Sequence, residues 1–178
     1  MYFNELRRLP SPGYYGSLGE RCLSDCIFWT GGSNPEINGP FILHDSVIEA
    51  MALKYIFEGW PVYRAEFYRQ CLPRVLHCAG SLFTHGDFQR KNTIVQRSAD
   101  SAGEPAALRV VVIDWETSGW YPCYWEYCYA VCALRYDDDW CLWLEKILEP
   151  YAGGSAWFKA IHLELWSWVV IYLCSRSQ

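Results

Sequence analysis

Residues 108–115, LRVVVIDW, place the strongest constraint on the fold. The run is β-branched and apolar throughout, which reads as a strand. A strand must find a partner for its backbone groups. The nearest segment of similar character is NTIVQ, residues 92–96, and the stretch between them, SADSAGEPAA, reads as a flexible link. Pairing the two as a hairpin sets the start of the first strand beside the end of the second. Asn92 and Asp114 then share one mouth. A third strand-like segment, SLFTH (81–85), lies upstream, and a charged turn, GDFQRK, separates it from NTIVQ.

The flanking segments read as helices. Residues 2–9 resemble the end of a helix halted by Pro10 and Pro12. Residues 10–44 are rich in Gly, Pro, Ser and Asn, and a loop of that length is expected to be either functional or partly disordered. Ser46 and Glu49 have capping-box spacing ahead of VIEAMALKYIFEG, a helix closed by Gly59. Pro61 suits the first turn of a second helix to about Cys71, with Pro73 as its break or kink. Beyond Trp125 the pattern gives helices over about 125–136, 138–149 and 155–174, the last two separated by Gly153 and Gly154. The expected fold class is α+β, mostly helical, with a small β-hairpin, in one domain over 1–178.

Composition narrows the function classes. The chain is 52% apolar with ten Trp and thirteen Tyr, enough for a real core. Its net charge of −5 and lack of a basic patch speak against nucleic acid and are mildly compatible with a cationic substrate. The nine cysteines include no CxxC pair; Cys22 and Cys26 form a CxxxC and His77 precedes Cys78, but ordinary buried thiols are preferred over a metal site. Reduced thiols fit a cytoplasmic protein. MYFNELRRL lacks the apolar core of a signal peptide, and LELWSWVVIYLC is too short to span a bilayer, so no membrane role is expected.

The chemistry concentrates at the expected mouth. An Asn amide oxygen and an Asp carboxylate are hard ligands suited to Mg²⁺. Asp87, five residues before Asn92, is placed to accept a proton from a substrate hydroxyl. Phosphoryl transfer asks for little more than metal-bound phosphates, a positioned nucleophile and a base.

HGDFQRKN resembles the H-x-D-x-x-x-x-N catalytic loop of the protein-kinase-like superfamily, and IDWE stands where that superfamily has its metal-binding aspartate. The glycine after His85, and Trp-Glu after Asp114, are similar to the aminoglycoside phosphotransferase and choline kinase branch. THGDFQRKN, VVVIDWETSGWYP and WEY together resemble phosphotransferase-like proteins common in fungi. The resemblance covers roughly 1–150, and the two motifs in order are more specific than either alone. It implies ATP- and Mg²⁺-dependent transfer of a γ-phosphate to a small-molecule hydroxyl. Asp87 would be the base, Asn92 and Asp114 the Mg²⁺ ligands, and His85 a support of the loop. Gln89 stands where serine/threonine protein kinases carry Lys, which disfavours a protein substrate.

Other residues keep two readings. Glu116 either faces a cationic group of the substrate or caps the next turn. Arg90 and Lys91 read as a solvated pair rather than phosphate ligands. Asp137, Asp138 and Asp139 read as charges at a helix N-terminus. By the resemblance, they and Glu126 are also weak candidates for binding amines. Trp115, Trp120 and Trp125 are expected in the core rather than lining a pocket.

The resemblance also implies a nucleotide-binding N-terminal lobe with a Gly-rich turn and a strand lysine. GYYGSLGE lacks G-x-G-x-x-G spacing, and the sole lysine ahead of the loop, Lys54, falls in a helical pattern. The chain is therefore expected to be a C-terminal lobe with the nucleotide lobe absent. That implies an uncovered apolar face, suited to a protein partner or self-association. The alternative function is a truncated, catalytically inactive, pseudokinase-like binding module.

Overall fold

A computed structural model of the chain describes residues 2–97, 108–134 and 139–175, with side chains in the last helix described as far as Leu165. Its helices are α1 (Tyr2–Leu6), α2 (Pro35–Asn38), α3 (His44–Phe57), α4 (Val62–Val75), α5 (Trp125–Cys132), α6 (Cys141–Ile147) and α7 (Ala152–Ser175). Its strands are β1 (Gly16–Ser17), β2 (Ser81–Thr84), β3 (Thr93–Arg97), β4 (Leu108–Val112) and β5 (Gly119–Pro122). The fold is α+β, with helices outweighing two small antiparallel sheets.

One sheet is the hairpin expected from the sequence. β3 and β4 pair with Thr93 opposite Val112 and Arg97 opposite Leu108. The link 98–107, read from the sequence as flexible, lies outside the described residues. The other sheet has the order β1-β5-β2; its β2 is the strand-like SLFTH segment of the sequence, whereas β1, β5 and their pairing were not legible there. Its central strand is GWYP, where Gly and Pro mask the strand signal. All four of its residues are buried, and Ser81 pairs with Pro122 and Thr84 with Gly119.

The helices bury a largely aromatic core. Phe28 stacks on Trp125 at 5.5 Å, and Trp125 meets Phe158 edge-on at 4.8 Å. Edge-to-face and stacked pairs of this kind add about 0.5–1.5 kcal/mol beyond the area they bury. Arg69 grips Glu49 and ties α4 to α3, while Arg64 and the Tyr68 hydroxyl both reach Glu164 and tie α4 to α7. Trp120 and Trp125 are core residues, as expected, and Trp115 packs against the core from its margin.

α3 ends as the sequence suggests. Gly59 has φ +81°, its N–H bonds Ile56 O, and the Trp60 N–H bonds Tyr55 O, a Schellman closure that needs the left-handed conformation glycine adopts freely. Its start differs. The helix begins at His44 after Leu43, and Ser46 makes no capping bond. Glu49 is drawn to Arg69 on α4, so the capping box does not form. Pro73 lies inside the last turn of α4 without ending it, and Gly153 and Gly154 lie in the first turn of α7 rather than between helices.

The long segment 10–44 is built into the core instead of standing free. Tyr15 pairs with Phe41, Leu23, Ile27 and Phe28 are buried, and the Asn38 side chain binds Phe28 O and the Asn34 N–H. Among the described residues no helix is long and apolar enough to cross a membrane. Exposed apolar side chains gather on the hairpin, at Ile94, Val95, Leu108 and Val110.

Candidate active site

The His85–Asn92 loop leaves β2 through a turn that only one residue type fits. Gly86 has φ +85°, and a Cβ there would lie 2.7 Å from Thr117 O. Both the conformation and the space exclude a side chain. The turn is clamped from two directions. Thr117 Oγ1 donates to His85 O at 3.1 Å. On the other side the Glu126 carboxylate accepts the His85 N–H at 2.6 Å and the Gly86 N–H at 3.3 Å.

His85 is fully buried and links the loop to the end of β4. Its Nε2 lies 2.8 Å from Ile113 O, a carbonyl that can only accept, so Nε2 carries the proton. Nδ1 then accepts the Asp87 N–H at 3.2 Å. Burial pulls the imidazole below its ordinary range and keeps it neutral. Its ring packs at 4.6 Å against Trp115.

Phe88 is buried between Phe3 at 4.4 Å and Trp140 at 5.4 Å. Asp87 is thus held between two buried residues, and its own side chain is 17% exposed. The carboxylate gathers a set of donors. Gln89 Nε2 reaches one oxygen, and Asn92 Nδ2 and Lys91 Nζ reach the other at 3.0 and 3.1 Å. Asn92 Nδ2 also bonds Asp87 O at 2.8 Å.

The hairpin register brings Asn92 and Asp114 within one residue of each other across the strands. Ile113 N donates to Asn92 O at 3.0 Å, and Asp114 follows directly. Asp114 has φ +67°, a left-handed conformation seen more often for Asp and Asn than for other residues with a Cβ. It is exposed, and its carboxylate makes no hydrogen bond or ion pair among the described residues.

Among the described residues no group of three or more His, Cys, Asp or Glu is gathered as a metal site. A Mg²⁺ site on this loop would rest instead on Asn92 Oδ1 and Asp114. The two fit that ion: the Asn92 amide is oriented by its Nδ2 bonds, which leave Oδ1 without a donor, and the Asp114 carboxylate is uncommitted. Mg²⁺ is commonly held by one or two protein oxygens together with substrate phosphates and water.

The remaining candidates are distributed differently. Glu116 is exposed and makes no bond among the described residues, so neither of its readings is favoured. Arg90 and Lys91 are ion-paired rather than merely solvated, Arg90 with Asp139 at 2.7 Å and Lys91 with Asp87. Asp139 also accepts the Trp143 indole N–H at 3.2 Å, while Asp137 and Asp138 lie outside the described residues. Glu126 does not face a substrate; it is buried, and both its oxygens serve the loop. Burial pushes its carboxyl up to about 7 against the opposing pull of those N–H groups. Asp25, unremarked in the sequence, is similar: it accepts from Ile27 N and Trp125 Nε1, and burial raises it to about 6. An acidic residue within a strongly aromatic run was the one signal that could have marked Glu126 as buried. Cys22 and Cys141 are exposed rather than buried.

A cavity of about 640 Å³ opens behind the loop, lined by Phe3, Phe88, Arg90, Val112, Trp140 and Trp143 among others. Asp87, Asn92 and Asp114 are not in its lining. No family model, curated protein or solved structure matches the chain.

Proposed function

We propose that the chain carries the catalytic loop of a phosphotransferase resembling the aminoglycoside phosphotransferase and choline kinase branch, folded as the C-terminal lobe of a protein-kinase-like protein. The reaction would transfer the γ-phosphate of ATP to a hydroxyl of a small molecule. The observation that carries this reading is that buried His85 ties the Asp87 backbone to the end of β4, while Asn92 Nδ2 holds the Asp87 carboxylate and the Ile113 N–H bond to Asn92 O sets Asp114 one residue from Asn92 across the hairpin.

In this reading Asp87 Oδ2 accepts the proton of the attacking hydroxyl once its ion pair with the exposed Lys91 opens. Asn92 orients the Asp87 carboxylate and offers Oδ1 to Mg²⁺, with Asp114 as the second ligand. Bound Mg²⁺ would supply neutralisation of phosphate charge. Glu126, Thr117 and His85 position the loop and touch neither substrate nor metal.

A second reading, a non-catalytic pseudokinase-like binding module, is favoured by one observation. Among the described residues no lysine stands free to orient phosphates ahead of the loop: Lys54 is fully buried against Glu58 and Trp29 O. Calorimetric titration of Mg²⁺-ATP into the chain separates the two. The enzymatic reading expects heat that disappears in Asp114→Ala, and ATP turnover that falls about 10²–10⁴-fold in Asp87→Asn. Absence of binding at millimolar-scale ATP overturns it and leaves the module.

A further inference from the structure

Cys78 and Cys123 meet at the end of the β2–β5 ladder opposite the His85 turn. Ser81 opposite Pro122 is the last rung there, and both cysteines lie just beyond it. Cys78 Sγ accepts the Cys123 backbone N–H at 2.9 Å and faces the Gly80 N–H at 3.5 Å. When protonated, the same sulfur donates to Gly80 O at 2.7 Å. The Cys123 thiol points to His77 O at 3.8 Å, the carbonyl directly before Cys78. Both side chains are half-buried, within reach of a small solute.

We propose that Cys78 and Cys123 are a peroxide-sensitive thiol pair, with Cys78 the attacking sulfur and Cys123 the resolving one. The two roles follow from an asymmetry in their surroundings. The Cys123 thiol beside it, then the Cys123 and Gly80 N–H groups facing its sulfur, draw the Cys78 thiol down against the effect of burial. The neighbouring Cys78 sulfur, with burial, pushes Cys123 up, and the Cys123 thiol faces a carbonyl, His77 O. Thiolate character and access are what select a cysteine for oxidation. Three other cysteines show the opposite: burial raises Cys26, Cys128 and Cys132, the last to about 12.

The oxidant is hydrogen peroxide. The Cys78 thiolate attacks one peroxide oxygen, an S–O bond forms, the O–O bond breaks, and the departing hydroxide takes up a proton as water. Cys123 sulfur then attacks the Cys78 sulfenic sulfur. The S–S bond forms, the S–O bond breaks, and the hydroxyl leaves as a second water with the Cys123 proton. Two thiols and one peroxide give one disulfide and two waters, the two electrons passing from sulfur to oxygen. The product fastens the start of β2 to the end of β5.

The test is peptide mapping of the full chain after peroxide treatment, without reduction. The expected product is one cross-linked pair joining Cys78 to Cys123, two hydrogens lighter than the separate peptides and released by dithiothreitol. Before oxidation, iodoacetamide at neutral pH should label Cys78 ~10-fold faster than the exposed Cys22 and Cys141. In Cys123→Ser, Cys78 should accumulate as a dimedone-reactive sulfenic acid; if that variant does not fold, mapping of the parent chain decides. Oxidation falling first on Cys22 or Cys141, or Cys78 passing to sulfinic acid with Cys123 still reduced, overturns the proposal.

Discussion

The Glu126 carboxylate takes the His85 backbone N–H at 2.6 Å, and so fastens the first turn of α5 to the turn that presents Asp87. The link spans distant parts of the chain and is buried. Two backbone donors depend on one side chain.

Replacing Glu126 with Ala leaves the His85 and Gly86 N–H groups without acceptors, at a cost of roughly 2–5 kcal/mol. Glu126→Gln keeps one acceptor and should cost less. It should also change the pH response. In the parent the folded state holds the Glu126 proton to about 7, whereas the unfolded chain releases it near 4.5. The native state therefore binds more protons in that window, and its stability falls as pH rises through it. Asp25, raised to about 6, adds a loss of the same sign. Urea unfolding across this range should show the slope in the parent and a shallower one in Glu126→Gln.

Gly86→Ala should disable the loop without touching a polar group. A left-handed residue with a Cβ costs roughly 1–2 kcal/mol, and Thr117 O at 2.7 Å adds a clash with backbone. We expect a lower melting temperature and loss of any Mg²⁺-ATP heat. An unchanged melting curve would mean that the turn has another conformation.

Asp114 separates stability from chemistry. Its φ of +67° is relieved by glycine but not by alanine. Asp114→Gly should therefore raise stability by about 1 kcal/mol while removing the carboxylate. Asp114→Ala should not be stabilised. Thermal melts of the two variants side by side check this, and a nucleotide titration should find both silent.

His162 has the opposite pH sign to Glu126. It is buried against Tyr129 and Phe158, and among the described residues neither ring nitrogen has a hydrogen-bond partner. Burial lowers it to about 4 from 6.5, so the unfolded chain takes up its proton first and stability is lost as pH falls between those values. His162→Phe removes that loss and the unpartnered nitrogens, and should gain about 1 kcal/mol near neutral pH. The urea midpoint at acidic and neutral pH measures both effects.

What the sequence disclosed, and what it hid, follows a physical division. The β3–β4 hairpin and the neighbouring positions of Asn92 and Asp114 were legible because β-branched runs and register are local signals. The Gly59 closure was legible for the same reason. β5 was hidden because its strand character comes from the β1 and β2 partners on either side, not from Gly119 or Pro122. The clamp by Glu126 was hidden because burial of an acid depends on which backbone donors the fold delivers to it. The Ser46–Glu49 box failed because a tertiary partner, Arg69, outbids a local one.

Lys54 lies fully buried inside α3, its ammonium held by Glu58 and Trp29 O. The other lysines of the chain are Lys91, Lys146 and Lys159. An amine-reactive label finds exposed lysines at once but reaches Lys54 only when the α3 layer opens. The residue is thus a built-in clock for that opening, readable peptide by peptide in the unmodified protein, with no probe added to its core.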